Sequence, residues 1–125
     1  MAKLEAVKDI LPEPEIYGEK DADLIFVGWG SVKSCVLDAL SLLKKDSDKK
    51  TKYAYLHYEF MFPLKTKLLK ELIEKNKRLV LIENNQSGQL GEQIKRATGF
   101  EFKEKILKYD GRPFFVEDIL DFLEN

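Results

Sequence analysis

The sequence predicts a three-layer α/β domain with a mostly parallel sheet. Three observations carry this. Four apolar runs recur roughly every 25 residues along the 125-residue chain. Two of them, 24–27 (LIFV) and 79–82 (LVLI), have no polar interruption, as strands buried on both faces require. Between the runs, apolar residues fall three and four apart, the spacing of a helix with one buried face. Strand and helix therefore alternate four times, and crossovers of one hand lay such strands side by side with helices on both faces.

Taken in order, Pro12 and Pro14 forbid a regular helix at the amino end. Residues 11–23 (LPEPEIYGEKDAD) read as an extended arm or linker, with a short strand expected at 15–17. Residues 1–22 are thus an arm and 23–125 the domain. An arm that begins this way suggests a truncated or split protein. The strand at 24–27 runs into Gly28-Trp29-Gly30-Ser31 and then a helix with Val32, Val36, Ala39, Leu40 and Leu43 on one face. Residues 44–50 (KKDSDKK) carry both signs and read as a solvated loop. The second strand is Tyr53–Tyr58. Leu64, Leu68, Leu69, Leu72 and Ile73 make the next stripe, with Pro63 expected as first helical residue. After the strand at 79–82, Leu90, Ile94 and Ala97 form a third helix, and Gly99 is expected as its left-handed C-terminal cap. The fourth run, 100–107, alternates Phe100, Phe102 and Ile106 with Glu101, Lys103 and Lys105, the pattern of a half-exposed edge strand. Val116, Ile119, Leu120 and Leu123 close the chain as a helix after Pro113.

Composition narrows the function classes. With 44% hydrophobic and 34% charged residues, the chain can build a core and stay in water. Lys and Arg total 21 against 22 Asp and Glu, for a net charge of -1, which argues against a dedicated nucleic-acid binder. The longest apolar runs are four or five residues, far short of the roughly 20 that span a bilayer. The N-terminus has acidic residues and no apolar core, so no secretory signal is read. Cys35 is the only cysteine, which excludes an internal disulfide and any all-cysteine zinc or iron–sulfur site. A cytoplasmic location is the default expectation.

Ligands of open α/β sheets approach the carboxyl ends of the strands. Gly28-Trp29-Gly30-Ser31 begins like a dinucleotide fingerprint, but Lys33 stands where a third glycine belongs, and no acidic residue ends the second strand. A tight turn with Ser31 capping the helix is the simpler account. His57 and Cys35 fall in strand and helix patterns and read as packing positions rather than a nucleophilic pair. No metal site is expected. The two loops with chemistry to offer come later. After Glu83, the stretch Asn84, Asn85, Gln86, Ser87, Gly88 and Gln89 closes the most apolar strand and opens a helix. Its amides and the helix N-terminus suit an anion, a carbonyl or another chain's loop. Lys108, Asp110, Gly111 and Arg112 form the second loop, where the Asp-Gly turn presents an arginine fork suited to a carboxylate or phosphate. A salt bridge from Arg112 to Asp110, Glu83 or a neighbouring subunit is the competing account.

The two loops together carry a resemblance. The run 83–91 (ENNQSGQLG), a helix ending in Thr98-Gly99, and 106–114 (ILKYDGRPF) resemble the C-terminal end of the 2-oxoacid:ferredoxin oxidoreductase α subunit. Residues 21–31 (DADLIFVGWGS) look like the opening of the same domain, and the resemblance runs from about Leu4 to Leu123. One departure falls in the first loop: the family pattern G-S-T-K-G is replaced by Gly30-Ser31-Val32-Lys33-Ser34.

The resemblance implies a transketolase C-terminal-like unit, α/β/α with a mixed five-stranded sheet whose antiparallel edge would be residues 15–17. It implies, too, that the complete complex decarboxylates a 2-oxoacid such as pyruvate to acyl-CoA, using thiamine diphosphate, magnesium and iron–sulfur clusters, and passes electrons to ferredoxin. This chain lacks a G-D-G…N motif and cluster cysteines, so it is expected to bind none of these cofactors alone. Its expected partners are the remaining α-subunit domains and the β subunit, with CoA and ferredoxin at the level of the complex, and neither nucleic acid nor membrane. The expected role is assembly and active-site positioning. The alternative is a free-standing α/β module binding a small anion or a partner protein at the carboxyl rim of the sheet.

Overall fold

The computed structural model describes residues 14–30, 32–45, 51–59, 65–83, 89–107 and 114–124. In chain order the elements are β1 (Glu15–Gly18), β2 (Leu24–Trp29), α1 (Val32–Lys45), β3 (Tyr53–Tyr58), α2 (Lys67–Glu74), β4 (Arg78–Glu83), α3 (Gln89–Thr98), β5 (Glu104–Leu107) and α4 (Val116–Glu124). The strands form one sheet in the order β1-β3-β2-β4-β5. Four are parallel, and β1 joins β3 antiparallel with Glu15 opposite His57. The mixed five-stranded sheet and its antiparallel edge match the expected fold.

Each face of the sheet carries its own core. Alternation along β2 sends Leu24 and Phe26 to one side and Ile25 and Val27 to the other. The first side packs with Tyr55, Val80 and Ile82 beneath Val36, Ala39 and Leu40 of α1 and Ile119 of α4. The second packs with Leu56, Tyr58 and Leu81 against Leu69 and Leu72 of α2 and Leu90 and Ile94 of α3. Burial holds α2 more than end chemistry does. Thr66 at the start of α2 makes no side-chain cap bond, whereas Leu69 and Leu72 are buried. Two such burials contribute about 2 kcal/mol each, against about 1 kcal/mol for a good cap.

Several boundaries differ from the sequence pattern. Lys65 and Thr66 are not helical, so α2 starts at Lys67 rather than at Pro63, which lies with Leu64 outside the described residues. The Tyr58 hydroxyl donates to the Lys65 carbonyl at 2.7 Å, holding that approach off the helical path. Ala97 is exposed, and the buried stripe of α3 is Leu90 and Ile94. The alternating run at 100–107 is a strand only from Glu104. Before it, the Thr98 hydroxyl accepts the Phe100 N–H at 3.0 Å, and Phe100 and Phe102 pack edge to face with centroids 5.0 Å apart. Gly99 does take the left-handed conformation at φ 80°, and its N–H returns to the Lys95 carbonyl at 2.8 Å.

Candidate functional site

The strand order reverses between β2 and β4: the chain passes from β2 outward to β3, then returns across β2 to β4. At such a switch point the loops leaving neighbouring strands diverge and open a crevice at their carboxyl ends. Here that end of β4 is Glu83, fully buried at 0% exposure. Its Oε1 accepts the Leu90 N–H in the first turn of α3 and, at 3.3 Å, the Trp29 indole N–H from the end of β2. A carboxylate therefore already takes one of the donors of the α3 N-terminus, where the helix dipole favours negative charge. Its Oε2 is buried and has no hydrogen-bond partner among the described residues.

A second group of polar side chains lies on the other face of the same rim. His57, 5% exposed, stands on β3 two residues beyond Tyr55, and its Nδ1 is 2.8 Å from the Tyr55 hydroxyl oxygen. One shared proton satisfies both atoms when the imidazole is neutral. Burial, and secondarily the charge of Lys33, push the His57 pKa below the usual histidine value. Burial likewise pushes the Tyr55 phenol up, so it stays protonated. Tyr17 stacks on Tyr55 with ring centroids 6.5 Å apart and hydrogen-bonds Glu15. Lys33, near the start of α1, lies 4.8 Å from the Tyr17 ring centroid, and hydrogen bonding to Tyr17 is the main cause that raises its pKa. Gly28 lies between the groups. A Cβ there would come within 3.1 Å of both the Ile82 carbonyl oxygen and the Tyr55 hydroxyl, so its lack of a side chain is a packing requirement.

β4 and β5, which precede the two stretches singled out in the sequence, end at the same rim. Asn84, Asn85, Gln86, Ser87 and Gly88 lie outside the described residues, as do Lys108, Asp110, Gly111, Arg112 and the capping candidate Ser31. Gln89 is the first residue of α3. By sequence pattern Glu83 reads as the edge of a polar stretch and His57 as ordinary packing. The signal for Glu83 is a carboxylate ending an otherwise apolar run (RLVLIE), where burial demands partners.

No protein-family model matches the chain. The α subunit of 2-oxoacid:ferredoxin oxidoreductase 1 from Aeropyrum pernix is 34% identical over 98% of this chain and 20% of its own length. The corresponding subunit from Saccharolobus solfataricus is 30% identical over 83% of this chain and 16% of its own length. Among solved structures, the alpha chain of a probable 2-oxoacid ferredoxin oxidoreductase from Thermoplasma acidophilum is 32% identical, with a TM-score of 0.59, over 90% of this chain and 94% of that one. The chain belongs to the 2-oxoacid:ferredoxin oxidoreductase α-subunit family.

It spans about a fifth of the length of the first curated α subunit it matches. The fold is shared with 2-oxoglutarate:ferredoxin oxidoreductase from Magnetococcus marinus, at a TM-score of 0.78 and 22% identity, over 96% of this chain and 20% of that one. Among the described residues no three of His, Cys, Asp and Glu gather as a metal site, and one cysteine cannot supply the thiolates of an iron–sulfur cluster. No described helix is long and apolar enough to cross a membrane.

Proposed function

We propose that this chain is the C-terminal domain of the α subunit of a heteromeric, cytoplasmic 2-oxoacid:ferredoxin oxidoreductase. It serves assembly and active-site positioning rather than chemistry. The observation that carries this is one of proportion: 98% of the chain aligns with only a fifth of an α subunit at 34% identity. Residues 23–125 act as the domain and 1–22 as an arm whose later part, Glu15–Gly18, supplies β1. Partners are the remaining α-subunit domains and the β subunit. Thiamine diphosphate, magnesium and the clusters belong to those parts, and CoA and ferredoxin act on the complex. The docking surface is the carboxyl rim. Asn84, Asn85, Gln86, Ser87, Gly88 and Gln89 supply neutral donors, and Lys108, Asp110, Gly111 and Arg112 supply a charged turn. Phe115, 56% exposed and three residues after Arg112, adds an aromatic anchor of the kind that dominates interface energies.

Co-purification tests the proposal. A tagged chain should retain the β subunit and the rest of the α subunit through size exclusion. The reconstituted assembly should reduce ferredoxin with a 2-oxoacid and CoA, and omission of the chain should abolish that activity. Full activity without it, or no co-elution with the chain in excess, would overturn the assignment.

A further inference from the structure

At the end of the sheet opposite the carboxyl rim, a cavity of about 640 Å³ opens between the flank of α1 and the corner where β1 meets the start of β3. We propose that it is a binding site for an amphipathic anion: an apolar ring or short chain ending in one carboxylate, sulfonate or phosphate. The volume falls within the range of small-molecule sites, roughly 300–1,000 Å³. Leu37 and Leu40 from α1 and the rings of Tyr17 and Tyr53 give it apolar walls. Gly18 keeps one side free of a side chain: at φ 109° a Cβ would lie 2.6 Å from the Tyr53 carbonyl oxygen, so that wall is bare backbone. Lys44 and Lys52 line the cavity, and neither ammonium forms an ion pair among the described residues. Among the described residues Glu19 is the one acidic side chain lining it, so the described lining carries a net charge of +1 (two lysines less one glutamate).

Apolar walls with unpaired cations select both halves of an amphipathic anion. The body leaves water against the leucines and tyrosines, while the head group meets charge that no carboxylate among the described residues has taken. Such a ligand would bridge α1 to the edge strand, and its binding needs no other subunit.

The probe is 1-anilinonaphthalene-8-sulfonate, titrated into the full chain alone and followed by its fluorescence. Saturable binding at one site is expected, displaced by octanoate but not by octylamine of the same chain length. Lys44→Glu combined with Lys52→Glu should weaken binding by about tenfold or more. Ser41→Trp, at an exposed position of α1 that lines the cavity, should obstruct it. Unchanged melting temperatures and near-ultraviolet circular dichroism would show that both variants fold. Non-saturable binding, equal displacement by octylamine, or wild-type affinity in both folded variants would overturn the proposal. These results come from the chain by itself, so they stand or fall independently of its role in the oxidoreductase.

Discussion

Trp29 Nε1 donates to Glu83 Oε1 at 3.3 Å, tying the end of β2 to the end of β4 across the switch point of the sheet. The same oxygen accepts the Leu90 N–H, so one carboxylate fixes two strand ends and the first turn of α3. That clamp sets where β4 ends and where α3 begins.

Removing the acceptor should therefore cost more than removing the charge. Glu83→Leu leaves two N–H groups without their acceptor and is expected to destabilise the chain by about 2–4 kcal/mol. Glu83→Gln keeps a carbonyl oxygen for both donors and should cost no more than about 1 kcal/mol. Urea denaturation of both variants decides the matter. Equal losses would mean that the hydrogen bonds at Oε1 are not what holds the rim.

Two glycines offer a paired test of packing. At Gly28 a new Cβ would meet the Val32 Cγ2 at 2.9 Å and a backbone carbonyl at 3.1 Å, and the carbonyl belongs to a central strand that cannot shift. Gly28→Ala is expected to cost about 1–3 kcal/mol. At Gly91 the one close neighbour among the described residues is the Cδ2 tip of Leu81 at 2.9 Å, a flexible side-chain end that can shift, and alanine gains up to about 1 kcal/mol of helix propensity inside α3. Gly91→Ala should be neutral or stabilising. The reverse ranking in thermal melts would contradict this account of the β2–α1 contact.

His57 makes stability depend on pH with a definite sign. Burial lowers its pKa in the folded chain, so between the two pKa values the unfolded chain binds more protons. Its contribution is complete above the unfolded value near 6.5 and is lost as pH falls through the folded value. Lys33 disfavours the imidazolium, while Glu15 and Glu59 partly offset it. The melting temperature should fall more steeply from pH 7 to pH 5 in the wild-type chain than in His57→Gln. Parallel curves would remove His57 as the cause.

How much of this was legible beforehand follows from which forces act locally. Uninterrupted runs such as LIFV and LVLI mark strands covered on both faces, because the pattern and the burial have one cause. Gly99 could be placed because a left-handed cap has a strong residue preference. The edge strand was the residue-level expectation at 15–17, and its antiparallel sense came from the family likeness. The start of β5 was not legible: Phe100 and Phe102 alternate like strand residues but are positioned by a hydroxyl and by each other. Nor was the Trp29–Glu83 pair, whose members lie 54 residues apart and meet only because the strand order reverses.

Arg112 provides the sharpest test of the proposed docking rim. It follows the Asp110-Gly111 turn, and its two candidate roles make different demands. If it meets a group on another subunit, Arg112→Ala should leave the stability of the isolated chain within about 0.5 kcal/mol. Association with the β subunit should then weaken by about 2–5 kcal/mol, the cost of stranding one member of a desolvated charge pair. Arg112→Lys should recover little, because an ammonium cannot reproduce a two-pronged guanidinium contact. The competing acceptors inside the chain are Asp110 and Glu83, and the Oε2 of Glu83 has no partner among the described residues. A double-mutant cycle between Glu83→Gln and Arg112→Ala separates the two roles. Additive stabilities with weakened association are the expected outcome. Coupling above about 0.5 kcal/mol in the isolated chain, with wild-type association for Arg112→Ala, would instead make Arg112 an internal brace of the rim.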